Sequence, residues 1–350
     1  VFAGKGRPPE AALAPVRKLR IDRPDLTGWN GLGGFTSDGR EYVITTTRAA
    51  RTPAPWGNVL ANPYCGTVVS ESGGAYTWCE NARNYRLTPW HNDPISDPGG
   101  EAFYLRDEHD GRFWSPTAAP AGGSEPYTAR HGFGYSVFEY VQDGIASEMR
   151  TFVATDAPLK FMLFTLTNHS GRPRRLSLTA LFELVLGEQR ASNAPYVVTE
   201  VDPGSGALLA RNCYAAEFSR RVAFLDCSER QRSFTCDRLE FLGRNGSQAD
   251  PLCMDRARLS GRVGAGLDPC LAMQVMVDLA DGQSRELVFS FGSGMDLADA
   301  RTLIHRFQGV GAARAALAGV WAYWNRTLGA VHVRTPEPSL DEQLWTIAVA

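Results

Sequence analysis

Along the chain, short runs of β-branched and aromatic residues alternate with turn clusters, at intervals of about ten residues. "REYVITTT" at 40–47 follows "SDG" and reads as a strand. "CGTVVSE" and "AYTWCE" flank Ser72-Gly73-Gly74, which signals a hairpin. "EAFYLRDEHDGRFWSP" (101–116) places two aromatic strands around Asp110-Gly111. "YSVFEYVQDGIASEMRTFVAT" (135–155) and "KFMLFTLTNHSGRPRRLSLTALFELVLG" (160–187) repeat the hairpin pattern. "LAMQVMVDLADGQSRELVFSFGSG" carries it to Gly294. Alternation is clear in "KFMLFTLTN" and "RELVFSFGSG". So many strands, with no long helical period before Met295, predict a large antiparallel β-sandwich, because stacking sheets buries their inner faces.

After Met295 the period becomes helical. Asp296 can cap "LADARTLIHRF", where Leu297, Ala300, Leu303, Ile304 and Phe307 share a face. "ARAALAGVWAYWNRTLG" follows a Gly-Val-Gly break and places Ala316, Val320, Tyr323 and Trp324 at the same spacing. An extended piece, "VHVRTPEPS", precedes another helix expected from Leu340. The organisation expected is a Pro- and Arg-rich linker over 1–25, a sandwich over 26–295, a helical linker over 296–330, and the start of a further domain over 331–350. Both ends read as cut from a longer polypeptide.

Composition narrows the partners. The chain of 350 residues is 43% hydrophobic and 21% charged, so it can bury a sizeable core. A net charge of −2 provides no basic footprint for nucleic acid. No run of 18 apolar residues is present to span a membrane as a helix. The seven cysteines include no CxxC or CxxH pair, which argues against zinc. They read as free thiols in a reducing cytoplasm, with a disulfide within 213–270 as the alternative.

Candidate chemistry lies between the strands. The loop "LTPWHNDPISDPGG" holds Trp90, His91, Asn92, Asp93 and Asp97 between prolines. Structured loops on a rigid sheet are where sites collect. The two aspartates read as turn residues, as weak metal ligands, or as an acid–base pair. "ARHGFGYS" places Arg130 and His131 before two glycines, as a hairpin corner or a close approach to ligand. Trp and Tyr rings match the C–H faces of a pyranose, while Asn, Asp and Arg satisfy its hydroxyls. The residues therefore point to a sugar-like ligand and to no particular reaction. Trp90, His91, Asn92, Asp93, Arg130 and His131 are the substrate-binding candidates, and no catalytic or metal-ligating residue is assigned.

Four segments carry a resemblance: "NGLGGF…DGREYVI", "TPAPWGNVLANPYCGTVVSESGGAYTW", "NARNYRLTPWHNDPISDPGGEAFYLRDEHDGRFWSPT" and "YTARHGFGYSVFEY". They resemble the N-terminal β-sandwich of the glycoside hydrolase family 94 phosphorylases, on the branch of cyclic β-1,2-glucan synthases and 1,2-β-oligoglucan phosphorylases. The resemblance implies a galactose-mutarotase-like sandwich, then a helical linker and an (α/α)6 barrel that carries the general acid and the phosphate site. It implies inverting phosphorolysis of a β-glucoside, with inorganic phosphate as co-substrate and no cofactor. Its implied partners are a β-glucan oligosaccharide, the barrel of the same polypeptide and a second copy in a homodimer. Its implied setting is the cytoplasmic side of a bacterial inner-membrane protein. The sandwich alone would then be inactive, and a non-catalytic carbohydrate-binding module is the alternative.

Overall fold

The computed structural model describes residues 26–329 and 335–336. The linker expected over 1–25 lies outside the described residues, as does nearly all of the further domain expected over 331–350. In chain order the first strands are β1 (Leu26–Thr27), β2 (Gly33–Thr36), β3 (Glu41–Thr46), β4 (Gly57–Ala61), β5 (Cys65–Ser70) and β6 (Ala75–Cys79). Next come β7 (Glu101–Asp107), β8 (Phe113–Trp114), β9 (Tyr127–Gly132), β10 (Tyr135–Gln142), β11 (Ile145–Val153), β12 (Leu159–Asn168) and β13 (Arg174–Glu183). Helix α1 (Arg190–Asn193) leads to β14 (Val197–Val201), β15 (Leu208–Asn212), β16 (Val222–Cys227) and β17 (Arg232–Asp237). Helix α2 (Arg238–Leu242) precedes β18 (Pro269–Leu279) and β19 (Ser284–Gly294), and helices α3 (Leu297–Arg306) and α4 (Gly309–Leu328) complete the order.

The strands form an 11-stranded sheet in the order β1-β2-β3-β9-β10-β11-β12-β19-β16-β15-β14, a 5-stranded sheet β17-β18-β13-β7-β8 and a 3-stranded sheet β4-β5-β6. Each neighbouring pair is antiparallel. The expectation of a mainly β, large antiparallel sandwich with helices after it is met. The main core lies between the large sheet and the two smaller ones. There Met162, Phe164 and Leu166 of β12 meet Phe103, Leu178 and Phe289. The alternate residues Phe161 and Leu163 face the other way, into a second core with Leu303, Phe307, Leu317 and Val320 of the helical segment. The alternation along β12 is thus between two buried faces rather than between a core and solvent.

Hairpins form at 65–79, 101–114 and 135–153, where the turn signals placed them. Two other expected hairpins do not form. β12 pairs with β11 and β19 in the large sheet, whereas β13 pairs with β18 and β7 in the five-stranded one. β18 and β19 likewise lie in different sheets. The "NHSGRPR" and "LADGQ" corners therefore carry the chain across the sandwich. Asn168 joins the two corners, with Nδ2 donating to the carbonyls of Arg172 at 2.7 Å and of Leu279 and Ala280 at 3.1 Å. In the helical segment, Asp296 accepts from the Asp299 amide at 3.0 Å and caps α3 as expected. The expected break at Gly309-Val310-Gly311 is instead the first turn of α4, where orphan amides need no intrahelical partner and glycine is tolerated.

One buried polar cluster joins the three sheets. Lys160 of β12 and Glu101 of β7, each almost wholly buried, form an ion pair. Lys160 Nζ also donates to Thr67 Oγ1 at 3.0 Å and Thr77 Oγ1 at 3.3 Å, on β5 and β6. Thr77 and Thr88 donate to Glu101 Oε1 at 2.5 and 2.9 Å. The charges are thus fully partnered, as burial requires. They fix how the three-stranded sheet sits on the sandwich.

Candidate functional site

Alternation along β4, β5 and β6 divides their residues between two faces. Leu60, Cys65, Val69 and Cys79 point into the main core. Gly57, Val59, Val68 and Ser70 point outward and floor a groove of about 350 Å³. Ala54 and Pro55 wall one side, and the loop from Pro89 to Pro98 walls the other.

The loop is fastened by its own polar residues. Asp97 Oδ2 accepts from Ser70 Oγ at 2.5 Å and Ser72 Oγ at 2.6 Å, tying the loop to the β5–β6 turn. Gly74 permits this, since a Cβ there would lie 2.9 Å from the Asp97 carboxylate. Asp93 Oδ1 accepts from the Ile95 amide at 2.9 Å, and the Asp93 carboxylate also accepts from the Ser96 hydroxyl. The Ser96 hydroxyl, with the backbone amides, holds the Asp93 carboxyl below the usual carboxylate range. Asp93 is therefore an anion at neutral pH and Asp97 is a fastener, so the two are not arranged as an acid–base pair.

Four of the expected site residues come together here. Trp90, His91, Asn92 and Asp93 all line the groove. Trp90 is 44% exposed, and its ring packs 4.7 Å from that of Tyr76, which lies 5.2 Å from Trp78. His91, Asn92 and Asp93 are exposed around it. An indole face with an imidazole, an amide and a carboxylate beside an apolar floor can take a polyol ring, flat side on Trp90 and hydroxyls to the rim.

The other two expected residues do not reach the groove. Arg130 on β9 is held by Glu41 at 2.8 Å and Glu139 at 2.9 Å, with Glu148 at 3.7 Å. His131 points to the opposite face of the sheet and stands behind the groove wall. Its Nε2 lies 2.9 Å from the Trp56 carbonyl and its Nδ1 2.8 Å from Ser136 Oγ. The carbonyl can only accept, so Nε2–H donates to it and Nδ1 accepts from the hydroxyl. Burial pushes the imidazole down to about 4, so it is neutral at pH 7. His131 thereby positions the 52–58 segment. Glu71 does the same from the other side, accepting from the Trp56 amide at 2.7 Å and from Thr52, and burial pushes its carboxyl up. Asn58 completes the anchorage by donating to the carbonyls of Gly132 and Tyr135 at 3.0 Å.

Sequence reasoning missed the floor and the anchors. Val59 and Val68 are of ordinary strand type, and no local pattern marks Glu71 as the partner of Thr52 and Trp56 or Asn58 as the partner of Gly132 and Tyr135. Among the described residues no group of three or more His, Cys, Asp or Glu could hold a metal ion.

The chain is 34% identical over 93% of its length to the cyclic beta-(1,2)-glucan synthase NdvB of Rhizobium meliloti. It is 26% identical over 90% of its length to an N,N'-diacetylchitobiose phosphorylase of Vibrio proteolyticus. It spans 12% of the length of the first and 40% of the second. Among solved structures it is similar to an aldose epimerase homologue of C. elegans, with a TM-score of 0.43 at 11% identity, covering 69% of this chain and 99% of that one. Residues 40–310 match the glycosyl hydrolase 94 supersandwich domain, and the chain belongs to that family.

Proposed function

We propose that this chain is the supersandwich portion of a phosphorylase-type enzyme acting on β-1,2-glucan, and that the Trp90 groove is where the sandwich meets the glucan. The observation that carries the reading is the convergence of Trp90, His91, Asn92 and Asp93 on one groove, in a chain 34% identical to a glucan synthase. The groove's rim provides hydrogen-bonding groups for neutral hydroxyls, and the exposed indole of Trp90 offers an apolar face for a pyranose.

In this reading the reacting groups lie in an (α/α)6 barrel of the same polypeptide, with inorganic phosphate as co-substrate. The sandwich supports that barrel, and a second copy can complete a homodimer. The setting is the cytoplasmic face of a bacterial inner membrane. Phosphorolysis needs an acid to protonate the glycosidic oxygen, and neither loop aspartate is free to serve. The chain by itself is therefore expected to form no glucose 1-phosphate from β-1,2-glucan, and product above a buffer control would contradict the assignment.

The positive test uses the full-length enzyme. Trp90→Ala and His91→Ala are expected to raise KM for the glucan, about tenfold for Trp90, since one stacked ring contributes roughly 1–2 kcal/mol. Melting temperature should fall by no more than about 2 °C. Unchanged KM with a large melting loss would assign the loop to packing. Tight glucan binding by this chain without any barrel would instead favour a free-standing carbohydrate-binding module.

A further inference from the structure

The core side of the groove's own sheet carries a feature the groove does not use. Cys65 on β5 and Cys79 on β6 stand directly opposite one another. Nearby on the same ladder, the Ser70 amide donates to the Gly74 carbonyl at 2.9 Å and the Glu80 amide to the Tyr64 carbonyl at 2.8 Å. These mark hydrogen-bonded rungs at 70/74 and 64/80. Rungs alternate along an antiparallel ladder, so 65/79 is a non-hydrogen-bonded rung. The backbone agrees. The Cys65 amide donates to Asn62 Oδ1 at 2.8 Å, and the Cys79 amide donates to the Tyr85 carbonyl at 3.2 Å.

Non-hydrogen-bonded rungs hold Cα atoms about 4.5 Å apart with side chains on one face. That lies within the range of about 4.4–6.8 Å that a disulfide bridges. Both side chains point into the main core, where Cys79 Sγ donates to the Pro158 carbonyl at 3.9 Å. Cys236 and Cys270, on neighbouring strands, differ: Cys236 faces the main core and Cys270 a separate cluster on the other side of its sheet.

We propose that Cys65 and Cys79 are a redox-modification site, closing a disulfide across the β5–β6 hairpin by exchange with a small-molecule disulfide. One cysteine thiolate attacks a sulfur of the small disulfide, breaking its S–S bond and releasing one small thiolate. The second cysteine gives up its proton to solvent and attacks the protein sulfur of the mixed disulfide, releasing the second small thiol. Two protein thiols are oxidised and one small disulfide is reduced to two thiols.

Burial pushes the Cys79 thiol well above its ordinary range, and neither sulfur is exposed. Exchange therefore requires an open hairpin, and the state of the pair is set as the chain folds. The bridge encloses the turn whose Ser70 and Ser72 hold Asp97, so oxidation stiffens the seat of the groove loop. Cys213 is exposed and so is removed for the test.

The test is cell-free synthesis of the 350-residue Cys213→Ser chain in a buffer of oxidised and reduced glutathione, followed by alkylation in denaturant. No Lys or Arg lies between the two cysteines, so cleavage after Glu71 by a glutamate-specific protease is needed to separate them. The expected result is a dithiothreitol-sensitive link between the peptides holding Cys65 and Cys79, with two fewer alkylated thiols. The oxidised chain should melt higher by roughly 5 °C. Soluble chain with all remaining thiols alkylated would overturn the proposal, as would a link through another cysteine or an oxidised form that melts lower.

Discussion

The two faces of the three-stranded sheet carry opposite kinds of residue. The inner face carries Thr67 and Thr77, fully buried and bonded to the Lys160–Glu101 pair. The outer face carries Val59 at 62% exposure, beside a loop where Trp90 is 44% and Ile95 95% exposed. The same strands contribute to both, one residue apart. The inner residues are chosen for satisfaction of every polar atom and the outer ones for what they leave open. If that division is right, inner-face changes should cost stability and outer-face changes should cost ligand.

The largest effect is expected at the inner junction. Lys160→Met leaves the Glu101 carboxylate buried without its cation and should cost about 3–5 kcal/mol by denaturant unfolding. Lys160→Met/Glu101→Leu removes both charges and should recover much of that loss. A single variant as stable as the parent would remove the junction from the account of the fold.

Next in size is the pH dependence from His131, which links the two faces through the Trp56 carbonyl. Its imidazole stays neutral in the folded chain down to about pH 4, while an unfolded histidine takes a proton near 6.5. Its contribution is complete above about pH 6.5 and is lost as pH falls toward 4, by up to about 3 kcal/mol. Glu71 acts in the opposite direction, because its raised carboxyl favours the folded state when protonated and that contribution is lost as pH rises. The difference between wild type and His131→Gln isolates the histidine. Parallel stability curves from pH 7 to pH 5 would contradict the neutral, buried assignment.

A smaller loss is expected at the outer fastening. Asp97→Ala frees two serine hydroxyls and should cost about 1–2 kcal/mol. It should also open the 89–98 loop to proteolysis, which Lys160→Met at matched stability should not do.

The sequence made the strands legible wherever a turn and an alternating pair coincided, as at Ser72-Gly73-Gly74 and Asp143-Gly144. It failed at the corners after Asn168 and Leu279, because a turn signal marks a chain reversal but not whether the next strand returns to the same sheet. The loop residues Trp90 to Asp93 were legible because so many polar and aromatic side chains stood together between prolines. Arg130 and His131 lie outside the groove lining for a reason hidden in the sequence. A charged or titratable residue before glycines looks free until its partners are known, and Glu41, Glu139, Trp56 and Ser136 are distant in sequence or indistinct in type.

Calorimetric titration of the full-length enzyme with β-1,2-gluco-oligosaccharide compares wild type with Trp90→Ala and with Trp321→Ala, an exposed tryptophan on α4 outside the groove lining. Saturable binding that weakens about tenfold in Trp90→Ala and is unchanged in Trp321→Ala is the expected result. Equal binding by wild type and Trp90→Ala, or binding lost only in Trp321→Ala, would show that the outer face of the three-stranded sheet is not where the glucan sits.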